Sequence, residues 1–431
     1  MKFAPKKTLL TVVLATLSLQ ASADAGLKQA LQDVLEGNPR MVAAGQDIEA
    51  AQQATVEQVR RSWTPQLDLN WSAGRQYYKD GALPSSTDSI DRASVKLTQR
   101  LLDFGRSDNL IDEKRSFEDQ QSAVKASAEG GLLLEALTAY LNVIRAKETL
   151  DYAKASEEQI KTLAKVESSK VEMGKGYASD VMQAKVQLAA AESKRLRVEG
   201  NLEIANARVK AVFESAADGL EYSGTVAVTG SGIPSSLNEA LKLAGNNNKQ
   251  LQVGMHRSEV IRSRINRIER TEYLPELKLI GEYATKEGFD GDPDRKNDGR
   301  IMLELSYRFN LGGAGGFAVQ GATHELNSSM AREDVTRLQV EEQVAIAWRN
   351  LEIAKLNGDI LTNQLAVASN YLDSVVAERA NGRRGVNDVV SAEVQLNSVK
   401  SDLAASRADT AIAEFTLLQA MGTLSLDVLT F

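Results

Sequence analysis

Arg60-Arg61-Ser62-Trp63-Thr64-Pro65-Gln66-Leu67-Asp68-Leu69 and, 210 residues later, Arg270-Thr271-Glu272-Tyr273-Leu274-Pro275-Glu276-Leu277-Lys278-Leu279 share an arginine, an aromatic residue, a proline and two leucines at identical spacing. Proline ends a helix and suits the first residue of a strand. The period changes after it: Leu67, Leu69, Trp71 and Ala73 alternate with Gln66, Asp68, Asn70 and Ser72. Period two with one apolar set predicts a strand with one greasy face. Trp63, Pro65, Tyr273 and Pro275 therefore mark two equivalent helix-to-strand junctions.

The correspondence extends outward from these junctions. Leu27, Ala30 and Leu31 fall on Leu237, Ala240 and Leu241. At a shift of 208, Leu97-Thr98-Gln99-Arg100-Leu101 meets Leu305-Ser306-Tyr307-Arg308-Phe309, Ala139-Tyr140 meets Ala347-Trp348, and Gly174 to Leu188 meets Gly382 to Leu396. An offset kept over so long a span predicts two homologous halves. They cover residues 24–213 and 236–422, joined by a linker at 214–235 and followed by a tail at 423–431. Each half reads helix, strand, strand, helical hairpin, with strands at 65–77 and 94–104 in the first and at 275–285 and 300–310 in the second. Polar tips, Lys79 to Ser89 and Lys286 to Gly299, read as loops between the paired strands. Tyr77, Tyr78, Tyr283 and Tyr307 cluster near strand ends, where amphipathic rings suit a membrane interface.

The rest of each half is helical. Residues 106–172 hold almost no breaker apart from Gly130-Gly131, a run on the order of 100 Å at the helical rise. The stretches 179–213 and 39–62 would measure about 50 and about 35 Å. Leu133-Leu137-Tyr140-Ile144 and Val389-Ala392-Leu396-Val399-Leu403 follow helical spacing and mark packing seams. Ala184, Ala189, Ala190 and Ala191 would permit close approach.

Composition excludes several classes. The 431 residues include no Cys, so neither a disulfide nor a lipidated cysteine is expected. A formal charge of −7 speaks against nucleic acid, whose phosphates reward basic surfaces. Lys2, Lys6 and Lys7, the apolar run Leu9 to Leu19 and Ala21-Ser22-Ala23 read as a cleaved signal peptide over residues 1–23, which implies export from the cytoplasm. No helical stretch is apolar enough to span a bilayer, so any membrane crossing is by strands. Four strands cannot close a barrel, since the smallest known membrane barrels have eight, so closure needs further copies of the chain.

No catalytic, cofactor or metal site is expected. His256 and His324 stand 68 positions apart, outside any ligand spacing. The glycines at 312–316 lack the Lys-Ser/Thr of a phosphate loop and read as a strand-to-helix corner. A soluble periplasmic coiled-coil adaptor would share the long helices without needing two pairs of alternating strands.

The ordered set of junctions, Leu102-Asp103-Phe104-Gly105 and Asn310-Leu311-Gly312-Gly313 after the second strands, and Gly174 with Asp180-Val181 matching Gly382 with Asp388-Val389, resembles TolC-type outer-membrane channels over essentially the mature chain. The resemblance implies a mainly α protein with membrane β-strands: a homotrimer with a shared twelve-stranded barrel in the outer membrane and a helical tunnel through the periplasm. It also implies two partners, a periplasmic adaptor and an inner-membrane transporter, either ABC-type or proton-driven. By the same resemblance Ser179 and Asp180 occupy the tip of the first helical hairpin, and Arg384 and Asp388 that of the second, where such channels close. Ser391 stands where the best-known members carry a second acidic residue, and Glu393 lies nearby. Gly174, Gly176, Gly382 and Gly385 read as turn residues, and Arg384 with Asp388 also fits a plain i,i+4 ion pair. Cargo is left between a polypeptide, through type I secretion, and small molecules. The lack of cysteine, which one drug-efflux subgroup uses for lipid anchoring, favours the polypeptide.

Overall fold

The computed structural model describes residues 26–79, 81, 85–175, 177–217, 220, 222, 226–228, 232–308 and 310–430. The signal peptide at 1–23, Gly176, and Phe309 in the last expected strand lie outside the described residues, as does part of the linker. The elements are α1 (26–37), α2 (Pro39–Trp63), β1 (Gln66–Tyr78), β2 (Ser86–Leu102), α3 (Arg106–Glu172), α4 (Ala178–Phe213), β3 (Ala227–Val228), α5 (Leu237–Asn247), α6 (Lys249–Tyr273), β4 (Glu276–Glu287), β5 (Lys296–Ser306), α7 (Ala314–Ala380), α8 (Val386–Met421) and β6 (Leu429–Thr430). Lengths recur across the halves: α2 and α6 have 25 residues each, α3 and α7 have 67, and α4 and α8 have 36.

Compactness divides the chain differently from the repeat. One unit comprises Met1–Ala43, Lys125–Lys249 and Arg337–Phe431, and the other Ala44–Val124 and Gln250–Thr336. Each unit draws on both halves, because strands pair across the repeat and the helical hairpins share a core.

In the second unit, β1, β2, β4 and β5 form an antiparallel sheet in that order. The strands are displaced from the expected bounds. β2 starts at Ser86 rather than 94 and β5 at Lys296 rather than 300, which shortens both loops. Backbone pairing does not need apolar side chains, so Ser86 to Arg92 stay in the ladder opposite Tyr78 to Ser72 although their alternation has lapsed. At the other end the ladder stops early because Asp103 turns to cap α3, its carboxylate accepting the amides of Gly105 (3.2 Å) and Ser107 (2.9 Å). Phe104 and Gly105 take left-handed φ values of 54° and 85° to make that corner. On the repeat side, the glycine cluster forms the corner into α7, with Asn310 accepting the Gly312 amide at 3.0 Å.

In the first unit the core is made by helix seams. Leu133, Leu137 and Tyr140 of α3 are buried, as are Val389, Ala392, Leu396, Val399 and Leu403 of α8. Ala184 is fully buried, whereas Ala189 and Ala190 are exposed, so only part of the alanine run serves close packing. The tail returns to the linker: β6 pairs with β3, and Tyr222 stacks on buried Tyr140 with ring centroids 5.6 Å apart. Gly422 closes α8 at φ 73°, where a Cβ would sit 2.4 Å from the Asn247 carbonyl oxygen. Among the described residues no helix is long and apolar enough to cross a membrane.

Candidate functional site

Because successive strand residues point to opposite faces, the register sorts the sheet into two chemistries. One face carries Leu67, Leu69, Trp71, Val95, Leu97, Leu279, Tyr283, Ile301, Leu303 and Leu305, all exposed. Ile301 is 83% exposed and Leu303 66%. A contiguous bare apolar surface of this kind marks contact with lipid or another macromolecule. Trp71, Tyr77 and Tyr283 lie toward the loops, and Trp63, Tyr273 and Tyr307 toward the helices, so aromatic rings flank the aliphatic band on both sides.

The other face is charged. Asp68, Lys96, Glu282 and Arg300 are directly opposite one another across the four strands, alternating in sign. Glu282 accepts from Arg300 at 2.6 Å and from Arg92 at 3.4 Å. Nearer the helices, Arg100 donates to Glu276 at 2.5 Å and to Ser107 Oγ at 2.8 Å, with Lys278 Nζ 2.8 Å from the other Glu276 oxygen. Trp63 and Tyr273 end their helices, and Pro65 and Pro275 follow two residues later, immediately before β1 and β4. Strands β1 and β5 are the edges of the sheet.

The two helical turns, both in the first unit, repeat one geometry. Gly174 (φ 70°) and Gly382 (φ 72°) take the left-handed position past α3 and α7. Their amides bond to Val171 and Arg379 carbonyls, and the next amides, Lys175 and Arg383, bond five residues back to Lys170 and Glu378. Gly385 is different. At φ −80° it is the N-cap of α8, and its amide donates to Asp388 Oδ2 at 3.1 Å. Asp388 is thus a capping carboxylate at a helix N-terminus. Arg384 does not pair with it but turns back to Glu378 at 2.8 Å, whose carboxylate raises the arginine pKa further. Asp180 sits at the matching place in the first turn of α4, Ser179 is exposed beside it, and Ser391 is exposed on α8.

The pairing of Glu167 had no signal in the sequence, nor did the burial of Glu393, which the sequence marked only by its place near Ser391. Glu167 of α3, with a side chain only 4% exposed, is held between Arg379 of α7 and Lys170, the latter at 2.9 Å. The pair Glu167 and Arg379 spans 212 positions, and each residue reads alone as an ordinary helix-surface charge. Glu393 is half-buried, its Oε2 has no hydrogen-bond partner among the described residues, and burial raises its carboxyl pKa against the opposing pull of Lys400.

A sheet with a bare apolar face and a charged face, together with helical hairpins that turn at glycine-closed tips, defines an outer-membrane channel of the helix-and-barrel class. The chain belongs to the outer membrane efflux protein family, whose profile matches residues 30–213 and 240–423, segments that begin and end 210 positions apart. It is 24% identical over 417 residues to outer membrane protein TolC of Salmonella enteritidis, covering 93% of this chain and 82% of that protein. To the outer membrane efflux protein BepC of Brucella suis biovar 1 (strain 1330) it is 22% identical over 381 residues, covering 88% and 81%. The solved outer-membrane channel OprN has the same fold, with a TM-score of 0.78 at 16% identity over 93% of this chain and 90% of that one.

Proposed function

We propose that three copies of this chain close one conduit through which cargo leaves the cell, each giving its four strands to a twelve-stranded barrel and its hairpins to a helical tunnel. The two-faced sheet carries this reading. Its apolar face suits lipid and its charged face suits a water-filled interior. Edges β1 and β5 would leave backbone groups unpaired in lipid at several kcal/mol each, and neighbouring copies supply the missing strands. A soluble adaptor has no use for bare Ile301, Leu303 and Leu305. The chain is exported with cleavage near Ala23, resides in the outer membrane and reaches into the periplasm, where it engages an adaptor and an inner-membrane transporter, ABC-type or proton-driven. Cargo is taken to be a polypeptide in type I secretion, on the lack of cysteine.

The helical turns are the proposed gate: Ser179, Asp180, Arg384, Asp388 and Ser391 around one opening, with Gly174, Gly382 and Gly385 shaping the tips. Carboxylate rings favour cations, so Asp388 recurring around a threefold axis would make the closed end cation-selective. The purified protein in a planar bilayer tests both levels. Discrete conductance steps and a heat-resistant oligomer are expected, and a soluble monomer without conductance would overturn the channel reading. Asp388→Ala should shift the reversal potential under a salt gradient toward zero, and Arg384→Ala should enlarge the steps. If both conduct like the parent, the gate lies elsewhere while the channel stands.

A further inference from the structure

On the charged face of the sheet, one row near the loops differs from its neighbours. Arg92 on β2, Lys286 on β4 and Lys296 on β5 are consecutive cross-strand partners, Arg92 opposite Lys286 and Lys286 opposite Lys296, with Ser72 completing the row on β1. Like charges directly opposite one another destabilise a sheet, and a chain with a formal charge of −7 has no general excess of cations to explain them. Two of the three cations have acid partners and the third has none. Glu282 is shared by Arg92 and Arg300, and Asp292 in the loop holds Lys296 at 2.6 Å. Asp298, diagonal to Lys286 across β4 and β5, makes no ion pair with it, and among the described residues none holds Lys286. The Nε of Arg92 is buried without an acceptor. Three cations are thus aligned on one face, and the central one has no acid partner.

We infer that this row is an anion-binding station on the charged face, taking phosphate or carboxylate groups of material in passage. It rests on the reading that this face lines the conduit. Unpaired Lys286 is the central contact, flanked by the half-exposed guanidinium of Arg92, which Glu282 holds only at 3.4 Å, and by Lys296, which an anion shares with Asp292. The row is offered to the interior because Lys286 and Lys296 have the same strand phase as Glu282 and Arg300.

The test is current through the parent protein in a planar bilayer, with tripolyphosphate or hexaglutamate added on the loop side. Block is expected, and the half-blocking concentration should rise about tenfold in Lys286→Gln and further in the double variant with Lys296→Gln, since hydrogen bonds to charged groups carry at least that factor. Lys286→Gln removes like-charge repulsion and breaks no ion pair, so its oligomer should be at least as heat-resistant as the parent. Block by tripolyphosphate alone would assign the station to phosphates, and block by hexaglutamate alone to acidic peptide. The parent decides even if the variants fail to assemble, because steps that persist unblocked with both anions present overturn the inference by themselves. Conductance steps that neither anion blocks, or block that the variants keep unchanged, would overturn the inference and leave the channel intact. No steps at all would remove the channel reading and this inference together.

Discussion

Glu167 and Arg379 show how a single residue matters beyond its own helix. A carboxylate exposed by only 4% must keep its cationic partner or carry a buried uncompensated charge. Arg379→Met is expected to destabilise the protein by about 1–3 kcal/mol, the cost of a lost charged hydrogen bond softened by the remaining Lys170 contact. Glu167→Gln in the same chain should recover part of the loss, as a double-mutant cycle on thermal melting would show. If the two losses simply add, the pair is not coupled. Glu393 gives a pH dependence. Burial raises its folded-state pKa, so the folded state holds the proton more tightly than the unfolded one. Its favourable contribution is present in full below the ordinary glutamate range and fades as pH rises through the raised value. Glu393→Gln should therefore raise the melting temperature at neutral pH and flatten that decline, and equal pH profiles for parent and variant would rule out the burial account.

At the scale of an element, strand phase and helix closure each carry a consequence. Leu303 and Glu304 are neighbours on β5 with opposite orientations, one bare and apolar, the other opposite Lys278 on the charged face. Leu303→Arg should cost roughly 2–4 kcal/mol at bilayer depth, while Glu304→Arg stays near an aqueous interior. The yield of heat-resistant oligomer should fall for the first and hold for the second. Equal yields would mean that the phase is assigned to the wrong face. For the helices, Gly382 sits at φ 72° in open space, so a side chain there meets strain rather than a clash. Gly382→Ala should cost about 1–2 kcal/mol in thermal melting, with Gly385→Ala cheaper because φ −80° suits any residue.

For the whole molecule, the channel reading puts both hairpin loops outside the cell. The second loop is the more built of the two: Gly288 has no room for a Cβ, which would lie 2.0 Å from the Ser89 carbonyl oxygen, and Gln76 donates to Asp290 Oδ1 at 3.4 Å and accepts the Asp290 amide at 3.2 Å. An epitope inserted at Gly291, away from Gly288, should label on intact cells, and labelling only after the outer membrane is broken would invert the topology.

The sequence by itself determined the twofold repeat, the alternation of strand pair and helical hairpin, the apolar phase of the strands and the glycines at both turns. These are local properties: period two or period 3.6, a proline before a strand and a glycine after a helix can each be read within a few residues. The expected strand ends missed by up to eight residues at Ser86, because hydrogen-bonded pairing continues past the last apolar side chain. Arg384 and Asp388, four apart and of opposite sign, suggested an ion pair, yet a backbone amide and Glu378 proved the nearer partners. Only the tertiary structure decided that β2 pairs with β4 across the repeat, that the compact units cut through both halves, that Glu167 meets Arg379, and that Arg92, Lys286 and Lys296 form one row. Each of these joins residues distant along the chain, and chain-local periodicity says which face a side chain takes but not which neighbour waits there.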